Sequence, residues 1–129
     1  MKELHKNLHL ALSTGAVLVV GATYGLYPST FLPLFFDFTV ETTDLNHVFR
    51  AMMGSYFALG IYWAYSLCFQ SHWRAATYSV VFFMGGLAVG RLWSIAVDGI
   101  PSTAFTVGTV LEIVFAIWGY INLKLYNKE

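Results

Sequence analysis

Four apolar stretches of membrane-spanning length fill most of this chain, and they constrain its fold more than any other feature. They lie near residues 8–26, 47–69, 75–97 and 104–123. Each approaches the ~20 residues a helix needs to cross a ~30 Å hydrocarbon layer. With 57% hydrophobic and only 11% charged residues, the chain has too little charge to cover a soluble surface. These features predict an all-α integral membrane four-helix bundle, a single transmembrane domain over residues 1–129 with up-down topology. The first stretch follows Lys2 and Lys6 as a signal peptide would. Its length and the poor cleavage sequence Ala22-Thr23-Tyr24-Gly25 favour a retained helix.

Basic residues set the expected orientation. Lys2, Lys6, Arg74, Lys124 and Lys128 all fall on one side of a four-span topology, whereas the opposite connections carry Asp37, Glu41, Asp44 and Asp98 without Lys or Arg. The positive-inside rule makes the basic side cytoplasmic, with both termini there. The connection from Tyr27 to Asn46 is unusually apolar, with Phe31, Leu32, Leu34, Phe35, Phe36 and Phe38. It is expected to lie along the membrane interface or to fold over the bundle as a lid. Zero formal net charge gives no global field for nucleic acid. A lone cysteine, Cys68, excludes an intrachain disulfide and reads as a small apolar filler.

Within this background, Arg50, Arg91 and Glu112 stand out, since a charge at the centre of a bilayer helix costs about 2.5–3.5 kcal/mol on insertion scales. A rise of 1.5 Å per residue puts them about 6, 9 and 13 Å below the outer boundary, in one layer. Asn46, Arg50 and Gly54 share a helix face, as do Arg91, Ser94 and Asp98. Glu112 shares its face with Gly108, Ala116 and Gly119, which points it inward. Gly21/Gly25 and Gly86/Gly90 have the small-xxx-small spacing of close helix contacts. The expected ligand-binding pocket is therefore Asn46, Arg50, Arg91, Ser94, Asp98 and Glu112. One glutamate against two arginines leaves an excess positive charge unless Asp98 or Asp44 reaches in. A closed network is a packing pin; an open one suits an anionic group.

Other residues carry less. His5, His9 and His72 do not complete a metal ligand set, so solvated or interfacial histidines are expected, with no metal and no cofactor. His47 beside Asn46 has at most a secondary role near Arg50. Tyr56, Tyr62, Trp63 and Tyr65 read as packing and interfacial anchors. The common soluble-enzyme signatures are absent.

The segments NHVFRAMMGSYFALGIYW (46–63) and FMGGLAVGRLWSIAVDGIPS (83–102), followed by Leu111-Glu112, resemble the bacterial domain of unknown function 4345 family of small four-helix membrane proteins. The resemblance covers most of the chain and matches the family pattern at Asn46, Arg50, Gly90-Arg91, Asp98-Gly99 and Glu112. It implies a bacterial inner-membrane protein and no established activity. The Glu-Arg-xxx-Asn motif of the trimeric glutathione-transferring membrane enzymes is missing. The leading expectation is a protein that binds or helps transport an anionic or amphipathic small molecule or lipid. The alternatives are an accessory subunit, with a homo-oligomer or another membrane protein as its partner, and an enzyme using Glu112 as acid or base.

Overall fold

The computed structural model describes residues 1–126 and is helical throughout its regular structure. Helix α1 spans Lys2–Gly25, α2 Pro28–Phe35, α3 Thr43–Cys68, α4 Trp73–Asp98 and α5 Thr103–Tyr126, with a 3-10 turn at Gln70–His72 between α3 and α4. The four long helices overlie the four apolar stretches, with α1 and α3 starting at least one turn earlier. The connection expected as an apolar interfacial loop or lid contains α2, a fifth helix. Pro28 opens it at a position whose N–H would be unpaired anyway. Pro33 inside it supplies no N–H, and the chain leaves helix at Phe36 (φ −128°, ψ 156°), so α2 stops at eight residues.

Local chemistry sets the other ends. Thr42 caps α3 by accepting the Leu45 N–H at 3.2 Å. Gly99 ends α4 at φ +99°, a left-handed conformation that side-chain-bearing residues rarely adopt, and Pro101 follows. Within the helices, Ser13, Thr14, Thr77 and Thr109 donate their hydroxyls to carbonyls one turn back. Hydroxyls in an apolar layer are thereby satisfied without a partner helix.

Two antiparallel pairs organise the molecule. α1 and α3 meet along a glycine seam: a Cβ on Gly60 would stand 2.6 Å from Leu18 Cδ2, one on Gly21 would stand 2.8 Å from Tyr56 Cβ, and one on Gly25 would collide with Met53. The Gly21/Gly25 spacing is thus used as a close contact. α4 and α5 meet at Gly119, where a Cβ would stand 2.8 Å from Val81 Cγ2. Gly86 and Gly90 behave differently. A Cβ there would meet nothing within 4 Å, so this stripe touches no other part of the chain.

The pairs close on each other at the end carrying the N-terminus and the α3–α4 turn. His9 is fully buried there, donating from Nε2 to the Phe115 carbonyl of α5 at 2.9 Å and lying edge-on to Trp118. Expected as a solvated or interfacial residue, it instead ties α1 to α5, because Gly119 leaves a notch its ring fills. A carbonyl only accepts, so Nε2 carries the proton. Trp63 is fully buried and donates to Ser79 at 2.8 Å, joining α3 to α4. Cys68 is exposed at the last residue of α3 and fills no core.

The outside is as apolar as the inside. Val19, Ile61, Phe82, Val89, Trp93, Val114 and Ile117 are all exposed. Helices apolar on every face belong in lipid, and α1, the Gln70–Asp98 stretch and α5 are each long and apolar enough to cross a membrane. α3 is as long but opens with Asp44, Asn46, His47 and Arg50.

Candidate functional site

Between the two pairs lies a cavity of about 150 Å³. Its walls come from every long helix: Val17, Val20 and Tyr24 of α1, Tyr56 of α3, Phe83, Leu87 and Arg91 of α4, and Phe105, Gly108 and Glu112 of α5. Phe36, from the connection after α2, bounds the remaining end and stacks on Phe105 at a centroid distance of 4.1 Å. Phe38 continues the stack to Phe49 at 5.7 Å, and Val40 is buried behind it. The apolar connection therefore folds inward as a cover, while Leu34 and Phe35 on its other face stay exposed.

The one strongly polar feature of the wall is the pair Arg91–Glu112. Arg91 Nε donates to both carboxylate oxygens, at 2.9 Å to Oε1 and 2.8 Å to Oε2. Sequence places the two opposite each other because α4 and α5 are antiparallel and Glu112 sits on the small-residue face of α5, with Gly108 in the cavity wall and Gly119 in contact with α4. The guanidinium stacks over the Phe105 ring at 5.1 Å, and the Tyr24 phenol stands beside it within hydrogen-bonding reach. Glu112 engages Arg91 through Nε alone. The terminal amino groups of the fork are not used by the carboxylate, and their several N–H donors exceed what one phenol oxygen can take up.

Of the six residues expected to form the pocket, the structure brings three together. Arg91 and Glu112 pair directly, and Ser94 shares with Arg91 a second cavity of about 200 Å³ closed by Pro101, Phe105 and Thr109. Asp98 does not neutralise an arginine; it is exposed and accepts the Ser94 hydroxyl at 2.9 Å. Asn46 and Arg50 stand apart. Asn46 donates its side-chain amide to the Thr42 carbonyl at 3.1 Å, within its own first turn. Arg50 is exposed and pairs with no acid among the described residues. The inward face of α3 runs through Phe49, Met53, Tyr56, Gly60 and Trp63, and Arg50 lies one residue off it. Its depth matches the layer, but its direction around the helix does not.

Tyr24 and Phe105 were not expected in the site, and Phe36 was expected only as part of a connection that could fold over the bundle as a lid. Their signal was present only as aromatic content near the connections. No group of three or more potential metal ligands converges among the described residues.

A family model described as a domain of unknown function (DUF4345) matches residues 6–123. The chain belongs to this family. No curated protein and no solved structure matches it. The match spans all the cavity-lining residues, from Ala16 to Phe115.

Proposed function

We propose that this protein is a four-span membrane protein that binds a small amphipathic molecule in the cavity between its two helix pairs. The ligand's head and the carbons next to it lie among Val17, Val20, Phe83 and Leu87, and the head accepts hydrogen bonds from the terminal amino groups of Arg91. The observation that carries this reading is the way Glu112 engages Arg91 through Nε only. A guanidinium meant solely to bridge two helices would present its bidentate edge to the carboxylate; here the terminal amino groups are not used by Glu112, and Arg91 lines the cavity. A volume of about 150 Å³ suits a benzene-sized group, so a ring or a head with a few carbons fills it.

Of the anionic and amphipathic classes, the second fits better. Glu112 neutralises Arg91 and Arg50 faces away, so the wall has no net charge for an anion. A neutral acceptor such as a carbonyl or hydroxyl needs none. Burying the pair beside apolar walls also strengthens the hydrogen bond it offers.

For topology, α3 has 26 residues and so a length of about 39 Å, enough to span beside its partner α1 despite its polar first turn. Lys6 lies over the Trp73 ring, next to Arg74, and Trp73 meets Tyr126 edge-on. This gathers Lys6, Arg74 and Lys124 at one end, the arrangement expected for cytoplasmic termini in a bacterial inner membrane; Lys128 lies outside the described residues.

A second reading, the pair as a packing pin in an accessory subunit, is favoured by the self-contained charge balance of Arg91 and Glu112. Native mass spectrometry of the mildly extracted protein separates the two. Binding predicts one small-molecule or lipid adduct per chain, lost in Gly108→Leu, which fills the cavity at a position where a Cβ meets nothing. A folded wild type that carries no adduct, and takes up none from added long-chain alcohol, would leave only the pin.

A further inference from the structure

The cavity has a neighbour. A larger groove of about 570 Å³ opens on the outside of the molecule between α3 and α4, walled by Met52, Phe82, Gly86, Gly90 and Ser94 together with Tyr56, Phe83, Leu87 and Arg91. The last four also wall the cavity. The two spaces are thus separated by three side chains, Tyr56, Phe83 and Leu87, and Arg91 borders both. Gly86 and Gly90, whose absent side chains meet nothing, form the floor.

We infer that the groove is a lateral portal through which a single-chain, membrane-dissolved amphipath reaches Arg91, its head in the cavity and its alkyl tail along Gly86 and Gly90. This rests on the binding reading above and adds the ligand's class and route. Three observations support this occupant and route. The groove follows α4 from Phe82 to Ser94, about 18 Å at 1.5 Å per residue. A furrow of that length, open along its side, takes an extended alkyl chain laid parallel to α4. The polar groups of the groove, Arg91 and Ser94, lie towards one end, and Phe82 and Gly86 lie towards the other. That is the polarity of an amphipath aligned with its neighbours in a leaflet. The approach from the connection end is covered by the stack of Phe36 on Phe105.

Tyr56 and Phe83 meet edge-on at 5.2 Å across the α3–α4 gap and form the partition. Tyr56 is buried and Phe83 half-buried, so Phe83 is the ring whose rotation would join groove to cavity.

The test uses the full chain in phosphatidylcholine nanodiscs with hexadecanol carrying a mid-chain diazirine, photolysed and mapped by peptide mass spectrometry. Wild type should be labelled on Phe82–Gly90 and Met52, in a manner competed by unlabelled hexadecanol. Labelling should fall at least tenfold in Gly86→Leu, which fills the groove, and in Gly108→Leu, which fills only the cavity. Competed labelling confined to Val20, Phe105 and Leu111, indifferent to Gly86→Leu, would overturn the portal and leave the binding reading standing. Groove labelling that survives Gly108→Leu would mark ordinary lipid contact and also overturn it. If no labelling is competed, both readings fail. The wild-type map alone decides between groove and cavity should either variant fail to fold.

Discussion

Breaking the Arg91–Glu112 pair one side at a time, and then both sides together, reads out the cost of a charge in the cavity wall. Both carboxylate oxygens lie within 2.9 Å of Nε, and the two side chains are 22% and 11% exposed. Removing one member of such a pair typically costs about 3–5 kcal/mol, because the survivor is left uncompensated. Glu112→Leu strands a guanidinium that cannot shed its charge. Its stacking on Phe105 and its partial exposure set the expected loss near the lower bound, about 3 kcal/mol. Arg91→Met strands a carboxyl, which escapes by taking up a proton, so a smaller loss of about 2 kcal/mol is expected. The double variant replaces the pair by apolar volume and should lie within about 1 kcal/mol of wild type. Equilibrium unfolding in mixed micelles of rising sodium dodecyl sulfate fraction gives all four stabilities, and the double-mutant cycle should show a coupling above about 2 kcal/mol. Additive single losses, or single losses both under about 0.5 kcal/mol, would refute the premise that the pair is formed and shielded.

Three further outcomes are expected. Arg50→Gln should change stability by no more than about 0.5 kcal/mol and leave adduct retention intact by native mass spectrometry, since Arg50 faces away from the cavity; loss of the adduct would place it in the site. Gly25→Leu, which drives a side chain into Met53, should destabilise the α1–α3 seam by about 1–3 kcal/mol or more in the same micelle titration, whereas Gly86→Leu should cost little. His9→Leu removes the α1–α5 hydrogen bond and leaves the Phe115 carbonyl one acceptor bond short. A loss of about 1–3 kcal/mol should be accompanied by faster amide exchange in the first turns of α1 and the last turns of α5.

The sequence reveals positions along each helix much better than directions around it. The long helices were legible because twenty apolar residues have few other uses, and the glycine seam of α1 because a regular spacing survives in one dimension. Arg91 and Glu112 were legible for a combined reason: neighbouring levels on antiparallel helices, plus a small-residue face that fixed Glu112's direction. Arg50 had the depth without the direction, and the face it was assigned with Asn46 and Gly54 turned out to be the outward one. Asp98 was placed on the correct stripe, but Ser94, one turn nearer, captures it. Gly86 and Gly90 show the limit of a spacing rule, since the same pattern that seals α1 against α3 here leaves a groove open. His9 and α2 were missed for different reasons. A histidine's burial depends on a notch 110 residues away at Gly119, and eight residues containing two prolines carry no helical period. Cavities are differences between surfaces from five elements, and no local pattern encodes them.

Binding as proposed requires Glu112 to hold Arg91 by Nε while the terminal amino groups face a ligand. Nitrogen-15 NMR of the arginine side chains, with Arg91 assigned by its loss in Arg91→Lys, measures this directly in nanodiscs titrated with hexadecanol. The terminal nitrogen resonances of Arg91 should shift and saturate at one alcohol per chain, with its Nε resonance, already hydrogen-bonded, nearly still. Terminal resonances that stay fixed while hexadecanol binds, or a shift of Nε showing that the carboxylate has been displaced, would contradict it.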